Sequence, residues 1–495
     1  MSRKYILAID QGTTSSRAVL LDTDGTWIGS AGRDFQQYFP KAGWVEHNPE
    51  EIWESVEDSI RKVIETHKVN PKDILTIGIT NQRETVVAWN SKSSKAVYNA
   101  IVWQCRRTSD FCSGLRKKKG LSATIRKKTG LVIDPYFSAT KISWLLKNNS
   151  EAKRLAKQNL LKVGTIDTYL LWKLTSGLAH KTEVSNASRT MLMNLKSLNW
   201  DQELLNLFQI PSSILPKIES SNHLFGYTKG LSCLPDGIPI SGMIGDQQGA
   251  LFGQTCFSPG DVKCTYGTGS FILLNTGEKL AYSKHGMLTT VAWRIDGKTA
   301  YAIEGGAFIC GAAVQWLRDG LGFIKSSDEI ELLARSVDSS DGVEFVPALT
   351  GLGAPYWESE ARGMIMGLTR GTNRGHIARA TLDAMALQNV DIVKAMEKDL
   401  GKKIKGFYVD GGAAANNLLM QLQSDYLGTK VIRPQIIETT VLGAGFMAGL
   451  GLGIWKNLTE LKQLNKKDSE FESVMSIKMR KKRLESWHGA VEKLL

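Results

Sequence analysis

The amino-acid sequence predicts an α/β fold made of two related domains. Strand-like and helix-like segments alternate along the 495 residues, and a chain of this length holds about two to three domains. A strand, a turn rich in Gly, Thr and Ser and a second strand occur near the start and again near the middle, in residues 6–22 and 260–277. The periodic pattern breaks at residues 254–260, so we expect domains of residues 1–253 and 254–495.

The first elements follow from local patterns. Apolar runs at residues 6–9 and 18–21 enclose a short polar turn, which predicts a hairpin. Asn48 as the N-cap, Pro49 in the first turn and two acidic residues after it predict the start of a helix. Apolar residues then recur at helical spacing up to Val63, so we expect a helix with one buried face.

Later strands are predicted to end in polar residues. Residues 74–80 and 240–244 have the composition of buried strands, and polar residues follow each of them directly. A third glycine turn joins a strand ending at Asp410 to a helix starting near Asn416. Open α/β sheets bind ligands at the carboxyl ends of their strands, so these segments are candidate binding sites.

Composition and charge argue against several other classes of protein. Apolar residues make up 42% of the chain and charged residues 22%, which is typical of a globular protein. The six cysteines are scattered without a CxxC pair, so we expect neither a disulfide framework nor a structural zinc site. The net charge is +13, but the basic runs at residues 116–119, 126–128 and 478–483 lack a nucleic-acid-binding motif, so we interpret them as solvated helix faces.

No segment predicts a membrane span or a secretory signal. The first apolar run stops at Asp10, and the longest one, residues 442–455, has 14 residues of which five are glycine. We therefore expect a cytoplasmic protein and interpret residues 442–455 as a closely packed internal helix.

Two polar turns predict phosphate binding. Residues 12–15 and 267–270 each combine glycine with Thr and Ser between two strands. Glycine lets the backbone N–H groups of a turn converge on an anion, and hydroxyl side chains add donors. One such turn alone could equally be a polar hairpin. Two of them favour phosphate, with a nucleotide between the two domains, although no complete P-loop or protein-kinase signature is present.

Asp10 stands just before the first polar turn. A carboxylate would repel phosphates unless a cation lay between them, so we predict that Asp10 serves Mg²⁺, directly or through water. Arg17, backbone amides, hydroxyl groups and the metal would together neutralise the phosphates, which is sufficient for phosphoryl transfer.

Transfer of a phosphoryl group to an alcohol also needs a general base beside the acceptor hydroxyl. Asp246 follows an apolar strand and opens a glycine-flanked turn, so we predict that it is this base. An Asp at this place is also a good helix N-cap, and the two roles are compatible.

A polyol acceptor needs hydrogen-bonding groups for its hydroxyls and aromatic faces for its carbons. Arg83 and Glu84, adjacent at a strand end, would supply donors and acceptors. Trp103, Tyr136 and Phe271 are candidate walls. Alternatives stay open from the residues alone, because the charged pair could be a surface ion pair and each aromatic side chain could belong to the core.

Together these segments resemble the FGGY family of carbohydrate kinases, within the superfamily of sugar kinases, actin and heat-shock ATPases. The likeness runs from about residue 4 to residue 460. It rests on DQGTTSSRA (10–18), GWVEHNP (43–49), GITNQRET (78–85), NAIVWQCRRT (99–108), TGLVIDPYFSATK (129–141), NASRTML (186–192), PISGMIGDQQGALFG (239–253), YGTGSF (266–271), GLGAPYWESEARG (351–363), GLTRGTN (367–373) and DGGAAANN (410–417). NQRET, WQCRRT and GAPYW favour members that phosphorylate glycerol over those that act on pentuloses or gluconate.

The resemblance implies two ribonuclease H-like domains of the actin/hexokinase type, with ATP and Mg²⁺ in the cleft between them. The implied activity is that of an ATP:glycerol 3-phosphotransferase, which yields sn-glycerol 3-phosphate and ADP. The implied partners are glycerol and ATP, without nucleic acid or membrane, and we expect a homodimer or homotetramer.

The resemblance also implies roles for individual residues. Contacts with the nucleotide phosphates are implied for Thr13, Thr14, Ser15 and Arg17. Other contacts with ATP or ADP are implied for Thr268, Gly311, Gln315, Gly412 and Asn416. Contacts with glycerol are implied for Arg83, Glu84, Tyr136, Asp246 and Gln247, and a hydrophobic wall for Trp103 and Phe271. Asp246 becomes the base, and Asp10 and Asp246 become the residues on the metal side.

One segment departs from the family pattern. Some relatives bind fructose bisphosphate in a glycine- and lysine-rich loop ending in Thr-Arg, but residues 229–237 here read KGLSCLPDG, so inhibition by that effector is not expected. Three alternatives remain: a kinase of the same family acting on a pentulose or an aldonate, an actin-like or chaperone ATPase, and a basic nucleic-acid-binding protein.

Overall fold

The computed structural model describes residues 3–358 and 360–495, which form two α/β halves. Residues 1 and 2 of the predicted first domain, and residue 359 within the motif at 351–363, lie outside the described residues.

The first half contains β1 (Tyr5–Gln11), β2 (Ser15–Asp22), β3 (Trp27–Asp34), β4 (Glu46–His47), α1 (Pro49–Thr66), β5 (Ile74–Asn81), β6 (Val86–Asn90), β7 (Ala100–Ile101), α2 (Ser109–Arg116), α3 (Leu121–Thr129), α4 (Ser138–Asn148), α5 (Ser150–Lys157), β8 (Leu161–Thr165), α6 (Ile166–Leu174), β9 (Lys181–Glu183), α7 (Val184–Ala187), β10 (Met193–Asn194), β11 (Asn199–Trp200), α8 (Gln202–Phe208), β12 (Lys217–Glu219), β13 (Gly226–Tyr227), β14 (Pro239–Gly245) and α9 (Asp246–Gly253).

The second half contains β15 (Val262–Tyr266), β16 (Ser270–Gly277), β17 (Leu288–Ile295), β18 (Lys298–Ala307), α10 (Gly311–Asp319), α11 (Glu329–Ala334), β19 (Glu344–Val346), β20 (Met364–Met366), α12 (Arg374–Leu400), β21 (Phe407–Asp410), α13 (Asn417–Leu427), β22 (Val431–Pro434), α14 (Thr439–Leu452), α15 (Leu458–Leu464), β23 (Lys467–Phe471) and α16 (Ile477–Glu492). Short 3₁₀ helices lie at Pro71–Asp73, Ser212–Ile214 and Gly412–Ala415.

Each half is built on the same five-strand arrangement. The strand order is β3-β2-β1-β5-β14 in the first half and β18-β16-β15-β21-β22 in the second. In both sheets the first three strands of this order pair antiparallel, and the last two join them in parallel. Strands β13, β17 and β23 extend the edges of these sheets. The predicted fold class is confirmed, and both predicted polar turns lie between the central antiparallel strands of a sheet.

Helix α1 anchors the strand that follows the first polar turn. It begins as predicted, with Asn48 accepting a backbone N–H of the first turn and Pro49 as the first helical residue. Its apolar face is buried against the first sheet. The hydroxyls of Ser55 and Ser59 donate to the Oγ and the carbonyl oxygen of Ser16, at 2.7 and 3.1 Å. The start of β2 is thereby held on a rigid helix.

Helix α14 connects the two halves through close packing. A Cβ on Gly443 would lie 2.0 Å from the carbonyl oxygen of Gly249 in α9, and a Cβ on Gly451 would lie 2.0 Å from that of Ser241 in β14. The helix also packs on β1 and β5, so the apolar core is continuous between the halves. The predicted packed internal helix is confirmed. None of the described helices is long and apolar enough to cross a membrane.

Candidate active site

The first polar turn is closed by its own backbone and touches an aromatic side chain. The N–H of Gly12 donates to the carbonyl of Ser15 at 2.9 Å, with Thr13 and Thr14 between them. The Nε1–H of Trp103 donates to Oγ1 of Thr13 at 3.0 Å. A residue predicted to bind phosphate is thus joined directly to a predicted wall of the acceptor site.

The second polar turn carries the N-terminus of helix α10. The N–H of Gly267 donates to the carbonyl of Gly269 at 2.9 Å, and the N–H of Gly311 donates to the carbonyl of Gly267 at 3.0 Å. A Cβ on Gly311 would lie 2.6 Å from that carbonyl oxygen, so the approach requires glycine. Thr268 and Gly311 are therefore neighbours, and Gln315 follows one helical turn later with an exposed side chain.

The third glycine turn lies against the start of the second one. Gly411 has a φ of +82°, a left-handed conformation that favours glycine, and a Cβ there would lie 2.5 Å from the carbonyl oxygen of Tyr266. Gly412 follows, and Asn416 caps α13 by accepting a backbone N–H at 2.8 Å. Gly412 and Asn416 are therefore at the same end of the second sheet as Thr268.

Asp10 lies at the end of β1, opposite Arg17 in β2. Nη1 of Arg17 forms an ion pair with Oε1 of Glu438 at 2.7 Å. Burial raises the pKa of Asp10 to about 7, and the charges of Asp246 and Glu438 contribute to the rise while Arg17 opposes it. The carboxylates of Asp10 and Asp246 are therefore close enough to interact.

These two carboxylates fit a magnesium ion that is bound mainly by phosphates and water. Mg²⁺ in nucleotide sites is usually held by one or two carboxylates together with substrate phosphates. Within residues 3–358 and 360–495, no three His, Cys, Asp or Glu side chains form a metal-binding cluster. Asp10 and Asp246 offer the smaller donor set. A cation between them would relieve their mutual repulsion, which adds to the effect of burial on the pKa of Asp10.

The predicted acceptor residues Arg83 and Glu84 belong to a buried ionic network. Arg83 binds Glu304 of β18 with two hydrogen bonds, Nη1 to Oε2 at 2.6 Å and Nη2 to Oε1 at 3.0 Å. Arg189 donates from Nε to Oε1 of Glu84 at 2.6 Å and from Nη2 to Oε1 of Glu304 at 2.9 Å. All four side chains are at most 3% exposed, which excludes the alternative of a surface ion pair.

The network favours the ionised form of Glu304. Burial alone would raise the pKa of Glu304, but Arg189 and Arg83 lower it to about 2. Burial raises the pKa of Glu84, and the two arginines oppose that rise. Glu304 is therefore a permanent anion between two arginines.

Arg83 and Glu84 each keep one group for a ligand. A guanidinium carries five N–H groups. Those of Arg83 face Oδ1 of Asp246 at 3.0 Å from Nε, Oε1 of Gln248 at 3.1 Å from Nη1, and both carboxylate oxygens of Glu304. The remaining N–H of Arg83 and Oε2 of Glu84 make no hydrogen bond to any described residue. The pair thus offers one donor and one acceptor.

Asp246 is the first residue of α9, and the N-cap is Gly245, so the alternative role of Asp246 as the N-cap is wrong. Oδ1 of Asp246 accepts the N–H of Gln247 at 2.7 Å and faces Nε of Arg83. Oδ2 makes no hydrogen bond to a described residue, and the side chain is 30% exposed. One oxygen is therefore fixed by the protein while the other can accept a proton.

The remaining predicted acceptor residues are three aromatic side chains and Gln247, the neighbour of Asp246 in the sequence. Trp103 and Tyr136 pack edge to face with ring centroids 5.6 Å apart. Phe271 lies on β16, and all three aromatic side chains are partly buried, so none of them is fully in the core. Oε1 of Gln247 accepts a hydrogen bond from the buried Nζ of Lys263 at 2.5 Å.

Comparison with known proteins identifies the family. The N-terminal domain of the FGGY family of carbohydrate kinases matches residues 5–253, and the C-terminal domain matches residues 262–452. The chain belongs to this family. The predicted resemblance is thereby confirmed.

Several relatives match this FGGY kinase over nearly its whole length. Glycerol kinase of Bdellovibrio bacteriovorus is 60% identical over 491 residues, covering 99% of both chains. Glycerol kinase of Desulforamulus reducens is 53% identical over 491 residues, covering 99% of this chain and 98% of that one. The crystal structure of Plasmodium falciparum glycerol kinase with ADP superposes with a TM-score of 0.93 at 39% identity and covers 100% of this chain and 98% of that one. Gluconate kinase from Lactobacillus acidophilus shares the fold, with a TM-score of 0.88 at 23% identity and coverage of 100% and 98%.

Sequence reasoning missed three charged residues at the site of this FGGY kinase. Glu304 interrupts an apolar strand, which is a signal for a buried charge with a partner. Arg189 stands within the motif at residues 186–192 but received no role. Glu438 precedes α14 and carries no local signal, because its partner Arg17 lies in the other half.

Proposed function

We propose that this FGGY kinase transfers the γ-phosphoryl group of ATP to glycerol and releases sn-glycerol 3-phosphate and ADP. Full-length similarity to proteins named glycerol kinase supports the substrate. The observation that carries the proposal is the position of Asp246. One of its oxygens is fixed beside Arg83, and its charge acts on Asp10 next to the first phosphate turn.

Recognition of a small polyol follows from the free groups of the ionic network. The unused N–H of Arg83 would donate to one hydroxyl, and Oε2 of Glu84 would accept from a neighbouring one. Trp103 and Tyr136 would cover the carbon chain. Two held hydroxyls leave one primary hydroxyl of glycerol for reaction, which fixes the end that is phosphorylated.

Proton transfer and phosphoryl transfer are then coupled at Asp246. Oδ2 accepts the proton of the primary hydroxyl as its oxygen attacks the γ-phosphorus in line. A new O–P bond forms, and the bond from the γ-phosphorus to the bridging oxygen breaks, so ADP leaves with that electron pair. The N–H of Gln247 and the guanidinium of Arg83 hold Oδ1, which orients the base.

The two polar turns would hold the phosphates of ATP. Contacts on the first side would come from Thr13, Thr14, Ser15 and Arg17, and contacts on the second side from Thr268, Gly311, Gln315, Gly412 and Asn416. Asp10 and Asp246 would hold Mg²⁺, directly or through water, and the ion would neutralise charge on the phosphates. Closure of the halves over both substrates would exclude water that competes for the γ-phosphoryl group.

A panel of acceptors tests this function. ADP release is measured with glycerol, xylulose, gluconate and no acceptor. We expect kcat/KM for glycerol to exceed that for the other acceptors by at least about 100-fold. Equal turnover of xylulose and glycerol would overturn the substrate assignment, and full ADP release without an acceptor would indicate an actin-like ATPase instead.

Assembly is a separate expectation. We infer a homodimer or homotetramer, and light scattering during size-exclusion chromatography measures it directly. A single species of 54.6 kDa, the mass of one chain, would contradict this inference.

A further inference from the structure

Arg189 is a buried arginine that directly contacts one predicted acceptor residue. It follows α7, its side chain is fully buried, and its Nε donates to Oε1 of Glu84 at 2.6 Å. Its guanidinium also lies 5.6 Å from the ring centroid of Tyr136, a predicted glycerol contact. Arg189 therefore touches two residues of the acceptor site without being part of it.

Glu304 brings a charge from the second half into the same network. It lies on β18 and binds Arg83 through both carboxylate oxygens, while Oε1 also accepts from Arg189. Arg83, Glu84 and Arg189 all belong to the first half. One carboxylate of the second half therefore sets the positions of two arginines across the cleft.

Other groups hold the backbone of Glu84, so the orientation of its side chain depends on Arg189. Glu84 has a φ of +60°, a conformation that is strained for a non-glycine residue. Its carbonyl oxygen accepts from Oγ of Ser138 and from Nζ of Lys141, both at 3.0 Å. These bonds fix the main chain but do not orient the carboxylate. Among the described residues, the hydrogen bond that orients the carboxylate comes from Arg189.

We propose that Arg189 and Glu304 are positioning residues of the acceptor site, with Arg189 acting through Glu84 and Glu304 acting through Arg83. Oε2 of Glu84 and the unused N–H of Arg83 then face the substrate only while the network is complete. Acceptor binding consequently depends on contact between the two halves. This inference rests on the proposed function, because it assumes that Arg83 and Glu84 bind two hydroxyl groups of the acceptor.

If these residues had a structural role only, burial of their four charges would be energetically unfavourable. Buried ion pairs contribute little net stability compared with well-packed apolar side chains, because both charges lose their hydration. A network of four buried charges is more useful where orientation matters, since each bond fixes the direction of another charged group.

The decisive experiment is a double-mutant cycle between Arg189 and Glu84. Arg189→Met, Glu84→Ala, which removes the acceptor oxygen of Arg189, and the double variant are assayed with the acceptor of the panel that the wild type phosphorylates best. We expect Arg189→Met to raise the KM for the acceptor about 100-fold, as a misplacement of about 1 Å does. The KM for ATP should stay within about twofold, as expected for an uncoupled site. In the Glu84→Ala background the same substitution should change the acceptor KM by less than about threefold.

Arg189→Lys and Glu304→Asp provide the conservative comparison. Each keeps the charge with an altered reach, so each should weaken acceptor affinity less than Arg189→Met and Glu304→Gln do, while leaving the KM for ATP unchanged. If Arg189→Met does not fold, judged by circular dichroism and ADP binding, Arg189→Lys decides the matter through the same comparison of the two KM values.

Arg483→Met is the matched control. Arg483 is a mostly buried arginine of α16 that pairs with Glu344 and Asp383, outside the acceptor site. It should leave both KM values unchanged. Equal increases of the two KM values in Arg189→Met, or an equal effect of that substitution with and without Glu84, would overturn the positioning role. Absence of glycerol turnover by the wild type would instead count against the proposed function.

Discussion

Replacing Asp246 by Asn should remove most phosphoryl transfer while preserving substrate binding. Oδ1 of Asp246 accepts the N–H of Gln247 at 2.7 Å and lies 3.0 Å from Nε of Arg83. The amide oxygen of Asn can keep both contacts, whereas its NH₂ group replaces Oδ2 and cannot accept a proton. The substitution therefore removes the base and keeps the geometry around it.

The expected losses of kcat and of binding follow from the different roles of these two oxygens. A positioned general base contributes about 10²- to 10⁴-fold to kcat, which corresponds to about 3–5 kcal/mol of transition-state stabilisation. The lost charge faces the buried Arg83, which stays bound to both carboxylate oxygens of Glu304 and keeps the amide oxygen as a partner, so the weaker contact costs about 1 kcal/mol. We therefore expect the glycerol KM and the ADP Kd to change by less than about fivefold.

Steady-state kinetics coupled to ADP release and calorimetric ADP binding measure these values. Asp110→Asn is the control, because Asp110 is an exposed acidic residue in the first turn of α2. It should leave kcat unchanged. Retention of kcat within about tenfold in Asp246→Asn would refute the assignment of the base. Loss of ADP binding with intact glycerol binding would leave Asp246 with a role on the nucleotide and metal side only.

Two further predictions concern the turns around the nucleotide, and a third concerns the pH dependence of stability. Glu438→Gln should tighten ADP binding by up to about fivefold in calorimetry, because it releases Arg17 from an exposed ion pair worth up to about 1 kcal/mol; weaker binding would contradict this. Gly311→Ala should raise the KM for ATP, since its Cβ would lie 2.6 Å from a carbonyl of the second turn and overpacking costs about 1–3 kcal/mol. Gly489→Ala, whose Cβ meets nothing within 4 Å, is the control and should leave the KM for ATP unchanged. Burial lowers the pKa of His47 to about 4, so below pH ~6.5 the unfolded chain binds a proton that the folded one does not. The unfolding free energy should therefore fall by about 3 kcal/mol between pH ~6.5 and pH ~4. Urea titrations of His47→Gln should show a smaller fall, and a fall equal to that of the wild type would contradict this.

The parts of the site that could be predicted from the sequence are those whose chemistry lies within a few residues. The first polar turn is closed by a bond from Gly12 to Ser15, and α1 begins at the cap that Asn48 provides. Such features depend on backbone conformation and local hydrogen bonds, so composition and spacing predict them. A nucleotide contact of Gly311 was predicted only through the resemblance. Its close approach to a carbonyl was not predicted, because that carbonyl belongs to a turn more than forty residues earlier in the chain.

The charged pairs across the cleft could not be predicted, because they depend on how the two sheets face each other. Arg83 and Glu84 are adjacent in the sequence, which suggests that they pair with each other. Their closest ion contact in the structure is 3.9 Å, whereas Arg83 lies 2.6 Å from Glu304 and Arg189 lies 2.6 Å from Glu84. A neighbouring opposite charge is therefore a poor guide to the partner of a buried one.

The complete network also decides which carboxylate can serve as the base. Arg83 and Arg189 balance the charges of Glu84 and Glu304, so the surplus negative charge of the acceptor site belongs to Asp246. Glu304 has a pKa of about 2 and both of its oxygens bound, so it is a poor proton acceptor. Protonation of Glu84 would weaken its bond to Arg189 and release a side chain proposed to hold the substrate. Asp246 alone of these three combines a partly exposed side chain with an oxygen that makes no hydrogen bond to a described residue. Transfer of the acceptor proton to Asp246, as proposed, would therefore neutralise the site without disturbing the contacts proposed to hold the substrate.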